Sequence, residues 1–153
     1  MRNSLVVAIA LGIAVEADAA SGGGSFLCLA DKSTGFTLDK RTKRWEPTVF
    51  NVSGEKYLVR RPGAEEQLWA ASAQWVVVTV GQSRGDCTCK SDFDETRRLF
   101  CTCTGGAFFL SAKTLRFLKS QDIGYWNTDP DRDEAFQESA NTPSLTIGKC
   151  SPL

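Results

Sequence analysis

The sequence predicts an all-β domain: an antiparallel β-barrel or sandwich of about eight short strands, stabilised by disulfides and with minor helix. Short runs rich in β-branched and aromatic residues recur between Gly, Pro and Asp turn residues. Residues 74–80 read Q-W-V-V-V-T-V and end at Gly81, which is typical of a buried strand. Two Cys-Thr-Cys tripeptides, at 87–89 and 101–103, face each other across a polar connection, as the strands of a hairpin do.

The six cysteines allow fifteen pairings, and the hairpin selects among them. Residues that face each other in an antiparallel pair have a constant sum of residue numbers. Positions 87 with 103 and 89 with 101 have the same sum, so a single register places both cysteine pairs opposite each other. Their side chains would lie on one face, at a separation that disulfides can bridge. The two remaining cysteines would join the ends of the domain. The predicted disulfides are therefore Cys87 with Cys103, Cys89 with Cys101, and Cys28 with Cys150.

A metal site is the alternative use of the hairpin cysteines. In an extended strand both cysteines of Cys-x-Cys share a face, so the spacing permits zinc or copper(I). Zinc knuckles usually show Cys-x2-Cys, and an exported chain favours disulfides. The ligands of the alternative site would be Cys87, Cys89, Cys101 and Cys103.

The first twenty residues predict export. Arg2 precedes an apolar run at 5–15 that is too short to span a bilayer, and Ala17-x-Ala19 supplies the small residues of a cleavage site. We therefore expect a signal peptide at 1–20, a flexible Gly/Ser tether at 21–25 and a single β domain at 26–153. The expected address is periplasmic or secreted.

The first half of the domain is expected to hold strands at 26–30, from Phe36, at 44–52, at 57–59 and at 74–80. Residues 31–35 (D-K-S-T-G) have turn composition, and 39–43 form a charged turn. Pro47 confines its strand to a sheet edge or a bend. Residues 64–73 could hold one helical turn containing Leu68 and Trp69.

The second half begins with the cysteine hairpin. Gly105-Gly106 interrupts the chain, and the apolar segments 108–110 and 115–118 have the spacing of a further hairpin. A long polar stretch, 122–139, precedes a last strand at 145–147.

The two ends of the domain resemble small exported proteins of Gram-negative bacteria that have no assigned function. The resemblance lies in Cys28-x-Ala30-Asp31-x-x-Thr34-Gly35-Phe36 and in Ile147-Gly148-x-Cys150. It implies a periplasmic or secreted address and no particular activity.

Composition excludes several classes of chemistry. The chain has no histidine, which removes Ser-His-Asp and Cys-His catalysis and histidine metal sites. The 18 basic and 18 acidic residues balance, which gives no support for nucleic-acid binding or for a strongly charged membrane partner. We find no catalytic motif and no further apolar segment long enough to span a membrane, and we expect no cofactor.

Two acidic clusters could act as sites. Asp129, Asp131 and Asp133 have the spacing that begins a calcium loop, but the expected Gly and final Glu of that loop are absent. The other cluster, Asp92, Asp94 and Glu95, lies at the hairpin tip. A solvated acidic loop is favoured for the first cluster, and a carboxylate-based hydrolase is the weakest functional alternative.

Aromatic residues in polar surroundings are the best candidates for binding. Tyr125 and Trp126 follow Gly124 in the polar stretch, and Phe93 lies at the hairpin tip. Exposed aromatic side chains anchor interfaces, although most aromatics of a small β domain belong to its core.

We therefore expect a non-catalytic binding module, for instance one of the inhibitor type, whose loops are held rigid by disulfides. Its expected partner is another protein or a cell-envelope component. One alternative is a carrier with an apolar ligand inside the barrel. The second alternative is a metal or redox protein that uses the Cys-x-Cys pairs.

Overall fold

The computed structural model describes residues 24–39, 41–64, 66–68, 70–126 and 142–153. It contains nine strands and one short 3-10 helix in this part of the chain. The strands are β1 (Phe26–Asp39), β2 (Arg44–Phe50), β3 (Lys56–Arg60), β4 (Trp75–Thr79), β5 (Cys87–Cys89), β6 (Arg98–Cys103), β7 (Gly106–Ser111), β8 (Arg116–Gln121) and β9 (Ser144–Pro152). The 3-10 helix, Glu66–Leu68, lies where one helical turn was predicted.

Eight of the strands close into an antiparallel barrel. Neighbours along the chain pair in order from β3 to β9, and β1 pairs with both β3 and β9. The remaining strand, β2, pairs with the second half of β1, so this hairpin extends past the barrel wall. The predicted all-β class is confirmed, and the fold is a barrel and not a sandwich because β9 returns to β1.

Alternation along the strands directs one set of side chains inward, as a barrel requires. The buried core consists of Cys28, Tyr57, Val59, Trp75, Val77, Cys87, Cys89, Leu99, Cys101, Phe108, Leu110, Phe117 and Cys150. All six cysteines are paired as predicted, in the disulfides Cys28 with Cys150, Cys87 with Cys103, and Cys89 with Cys101. The disulfides therefore belong to the barrel interior rather than to its surface loops.

The turn predicted at 31–35 is wrong. Residues 26–39 form one strand, in which a β-bulge between Ala30 and Lys32 absorbs the turn-forming Asp31. Gly35 serves close packing instead of a turn. A Cβ at this position would lie 2.0 Å from the carbonyl oxygen of Pro143. The last strand is longer than predicted and runs on through Cys150.

Other local predictions are confirmed. Pro47 lies in β2, which pairs only with β1 among the described residues, as a strand-edge proline should. The strand predicted at 74–80 is observed as β4, Trp75–Thr79, and it is hydrogen-bonded to a neighbouring strand on both sides. The apolar pair of segments after Gly105 forms the β7–β8 hairpin.

Some predictions fall on parts of the chain outside the described residues. These are the signal peptide at 1–20, the tether up to Gly23, Trp69, and the carboxylates Asp129, Asp131 and Asp133. At the described end of the tether, the carbonyl of Ser25 accepts a hydrogen bond of 2.8 Å from the amide of Leu153. In the described part of the chain, no helix has the length and apolar character needed to cross a membrane.

Candidate functional site

The hairpin cysteines are structural in this arrangement. Cys87, Cys89 and Cys101 are buried, and each sulfur is bonded to another sulfur, so none is available as the thiolate that a metal binds. Within the described residues, no group of three or more His, Cys, Asp or Glu side chains could hold a metal ion. Three disulfides are typical of an oxidising environment.

Phe93 closes one end of the barrel. Its ring packs 5.7 Å from that of Phe26 and 5.3 Å from that of Trp75, measured between centroids, and the side chain is half-buried. The neighbouring Asp92 accepts hydrogen bonds from Nε1 of Trp75 at 2.8 Å and from Arg61 at 2.6 Å. The hairpin tip therefore folds back on the core, and Phe93 offers only part of its ring to a partner.

The hairpin carboxylates Asp92 and Asp94 both accept hydrogen bonds from neighbouring residues. The hydrogen bond from Arg61, followed by that from Trp75, holds the pKa of Asp92 below its usual range. The pKa of Asp94 is lowered by hydrogen bonds from the Thr96 side chain and the Arg98 amide. Both carboxylates thus organise the loop that follows β5.

Tyr125 and Trp126 lie at the opposite end of the barrel, just after β8. They are 65% and 74% exposed. Nε1 of Trp126 donates a hydrogen bond of 2.9 Å to the carbonyl of Asp122, and this contact ties the indole to its own turn. The ring of Tyr125 meets Trp45 of β2 edge-on, with the centroids 5.7 Å apart. The structure thus brings together aromatic residues that are far apart in the sequence.

These residues form a cleft of about 1120 Å³, here called the aromatic cleft. Its apolar walls are Phe36, Trp45, Tyr125, Trp126, Pro143 and Leu145. Polar side chains at its border are Arg44, Glu46, Gln121 and Asp122. A concave apolar surface with a few polar groups is the usual form of a binding site.

The fold explains why the cleft lies there. The β1–β2 hairpin projects beyond the barrel and supplies Phe36 and Trp45 as one wall. The chain that leaves β8 turns at Gly124 and presents the second wall. The φ of Gly124 is 127°, a backbone conformation that suits glycine. The missing side chain at Gly35 lets the start of β9 approach β1 closely and form the floor.

In the described part of the chain, aromatic rings pack across the barrel interior. The rings of Phe108 and Phe117 stack with centroids 5.2 Å apart, and Tyr57 meets both edge-on. With the three disulfides, these rings occupy the space in which a lipocalin-type barrel holds its ligand.

A small polar pocket of about 330 Å³ opens at the same end of the barrel as the cleft, beside the turn between β2 and β3 and the strands β8 and β9. Glu55, Lys119 and the buried hydrogen-bonded pair Ser33 and Thr146 line it. The hydroxyl of the buried Tyr57 donates a hydrogen bond to Glu55, one of the residues that line this pocket. Burial, assisted by that carboxylate, raises the pKa of Tyr57 well above its usual range.

Phe36 and Trp45 are among the cleft residues that sequence reasoning missed. Both lie in segments with a strand pattern, where an aromatic side chain normally indicates core. Their place in the cleft follows from the projection of the β1–β2 hairpin past the barrel wall, which the sequence does not indicate. Comparison of the chain with family models, with curated proteins and with solved structures finds no match. The assignment of the aromatic cleft as a candidate binding site therefore depends on its geometry alone.

Proposed function

We propose that this protein is a non-catalytic binding module, periplasmic or secreted, that holds an extended segment of a partner protein in the aromatic cleft. The observation that carries the proposal is the exposure of Tyr125 and Trp126 beside Trp45 in one large groove. Two exposed aromatic rings keep apolar surface in contact with water, and a bound partner would remove that unfavourable contact.

The composition of the cleft supports a protein partner. Trp, Tyr and Arg are the residues that most often dominate the binding energy of protein interfaces, and the cleft contains Trp45, Tyr125, Trp126 and Arg44. Aromatic-lined grooves are also a recurrent means of holding extended, proline-containing peptides. The polar side chains at the border suit the rim of such an interface.

Rigidity supports the same proposal. The cleft is built on strands β1, β2 and β9, and the disulfide between Cys28 and Cys150 joins β1 to β9. A preformed site loses less conformational entropy on binding than a flexible loop does. We therefore still assign the disulfides the role of holding the binding surface rigid, but we place that surface at the aromatic cleft and not at the hairpin tip.

The filled interior weighs against the carrier alternative, and the paired cysteines weigh against the metal alternative. The carrier alternative places its ligand inside the barrel, and the metal alternative places it at the hairpin cysteines. The aromatic cleft lies at the other end of the barrel from the loop that carries Phe93.

A displayed library of random peptides tests the proposal. Selected peptides should bind the wild-type chain, and Trp126→Ser and Tyr125→Ser should each weaken binding by about tenfold or more, as measured by tryptophan fluorescence titration. Val80→Ser changes an exposed apolar residue outside the cleft and serves as the control. The proposal fails if the selected peptides bind the Trp126 variant as well as the wild type, or if the library yields none while a glycan array does.

A further inference from the structure

The outer face of strands β6 to β9 carries a row of apolar side chains that faces away from the core. Register places Phe100 opposite Phe109, Phe109 opposite Leu118, and Leu118 opposite Ile147. Phe100, Phe109 and Ile147 are 54%, 37% and 47% exposed, and the two Phe rings meet edge-on with centroids 5.5 Å apart. We call these four residues the apolar row. At ordinary strand spacing the row is about 14 Å long.

A row of cations runs parallel to the apolar row. On each strand, the residue two positions from the apolar row points to the same face. The register aligns these residues, which are Arg98, Ser111, Arg116 and Lys149. This basic row is about 7 Å from the apolar row. Within the described residues, Arg116 and Lys149 form no ion pair with a carboxylate, whereas Arg98 lies 3.6 Å from Asp94. Asp31, at the bulge of β1, is a further acid that borders the same surface.

The opposite side of the apolar row is uncharged. The next aligned residues are Thr102, Ala107, Ser120 and Leu145. On β1 the register continues this line to Thr34, the apolar row to Lys32 and the basic row to Leu29. Leu145 is exposed and also lines the aromatic cleft, so apolar surface continues from the row to Trp126. The face thus has cations along one side, apolar side chains in the middle, and Tyr and Trp beyond the other side.

We infer that this face docks on an anionic lipid surface. Apolar side chains that enter the boundary of the acyl region, with cations beside them at the level of the phosphates, form the usual interfacial footprint. Tyr and Trp favour the headgroup level of the same boundary.

Two features favour a lipid surface over a protein partner here. The apolar row contains only Phe, Leu and Ile, which make no side-chain hydrogen bonds, whereas a protein interface of this size normally includes polar contacts. Each of the four strands is paired on both sides, so no unpaired main-chain edge would enter the lipid. The balanced charge of the whole chain conceals this segregation, because it sums over all faces of the molecule.

Sedimentation with lipid vesicles tests the inference. The full chain should pellet with vesicles of equal parts phosphatidylcholine and phosphatidylglycerol, and much less with phosphatidylcholine alone. Phe100→Ser with Phe109→Ser should weaken binding about tenfold or more. Arg116→Gln and Lys149→Gln should each weaken it about fivefold, and added salt should reduce wild-type binding.

Matched controls separate the face from the rest of the chain. Val49→Ser removes an exposed apolar side chain from β2, and Arg41→Gln removes a cation from the β1–β2 turn. Both should bind vesicles as the wild type does. All variants are prepared in the same way as the wild type, so any contribution of residues 1–23 is common to every sample. Circular dichroism and intact mass confirm that each variant folds with its disulfides.

Three results would overturn the inference. The first is equal binding of the Phe100 and Phe109 double variant and the wild type. The second is equal binding to neutral and anionic vesicles, which would leave no role for the basic row. The third is a wild-type dimer in light scattering that the double variant abolishes, which would assign the face to a second copy of this chain.

Discussion

Glu66 binds Arg60 with both carboxylate oxygens, at 2.6 and 2.7 Å. The same carboxylate accepts a hydrogen bond of 2.7 Å from the amide of Gly63. Glu66 is only 4% exposed and lies in the connection between β3 and β4. Its ion pair with Arg60 therefore anchors this connection to the end of β3. A bidentate pair of this kind contributes more than a surface salt bridge, because water competes less for it.

We expect Glu66→Gln to lower the free energy of unfolding by about 2 kcal/mol at pH 7, because it removes the buried negative partner of the half-buried Arg60. Urea denaturation measures this loss. The control is Glu95→Gln, which removes the same charge from the exposed hairpin loop. It should change the free energy of unfolding by less than about 0.5 kcal/mol.

The same pair gives a pH dependence of defined sign. The hydrogen bonds from Arg60 hold the pKa of Glu66 below its ordinary value of 4.5. Its stabilisation is therefore fully present above the unfolded pKa and is lost as the pH falls through the lower folded pKa. The difference in stability between wild type and Glu66→Gln should shrink below about pH 4.5. A difference that stays constant down to pH 3 would contradict this assignment.

The disulfides should differ in their contribution according to the length of chain they close. The cysteines of the pair Cys28 and Cys150 are separated by 122 residues, and those of the pair Cys89 and Cys101 by 12. The chain-entropy model predicts losses of about 5 and about 3 kcal/mol for the respective double Ser variants. Guanidinium denaturation measures the free energy of unfolding of both variants. Each variant introduces two Ser hydroxyls, so the comparison between them is matched in this respect. Equal losses would show that local packing, and not chain entropy, sets their stability.

The hairpin was the part of the fold most accessible from the sequence. Its cysteines alternate with threonines on both strands, so only one register brings both pairs of sulfurs together. The remaining two cysteines then had one pairing left, and that pairing places the last strand beside the first. The strand β4 was equally accessible, because a run of valines suits a strand with both neighbours paired.

The long first strand and the cleft were not accessible in this way. Asp31 and Gly35 have turn composition, but a bulge and a close backbone contact with Pro143 explain them, and both depend on pairing with β9. The walls of the cleft come from Trp45 and Tyr125, which only the closed barrel brings together. The apolar row likewise requires the registers of three strand pairs at once, whereas each strand alone shows ordinary alternation.

Tyr57 should make stability sensitive to alkaline pH. Its hydroxyl is buried and donates to Glu55, and its pKa is raised, chiefly by burial. A group with a raised folded pKa stabilises fully below its unfolded pKa, about 10 for tyrosine, and this stabilisation is lost as the pH rises further. Tyr57→Phe should therefore cost about 1 kcal/mol at pH 7 and show a flatter loss of stability between about pH 9.5 and 11.5, measured by urea denaturation.

Tyr125→Phe provides the control for that experiment, because Tyr125 is exposed and is the only other tyrosine of the chain. It should keep the alkaline slope of the wild type. If both variants have the same slope as the wild type, the buried hydroxyl of Tyr57 makes no contribution to the pH dependence.

Gly35 links the stability of the barrel to the shape of the cleft. A Cβ at this position would lie 2.0 Å from the carbonyl oxygen of Pro143 and 2.8 Å from Cα of Ser144, so the backbone would have to move. The same carbonyl accepts a hydrogen bond of 3.0 Å from the amide of Phe36, a wall residue of the cleft. A displacement here would therefore disturb both the pairing of β1 with β9 and one wall of the cleft.

Gly35→Ala should lower the free energy of unfolding by about 2 to 3 kcal/mol. It should also accelerate hydrogen exchange at the Phe36 amide, because that amide loses its acceptor. Gly24→Ala is the matched control, since nothing lies within 4 Å of its added Cβ, and it should leave both quantities unchanged. A Gly35→Ala variant with wild-type stability and wild-type exchange at Phe36 would show that the backbone accommodates the added Cβ without losing this hydrogen bond.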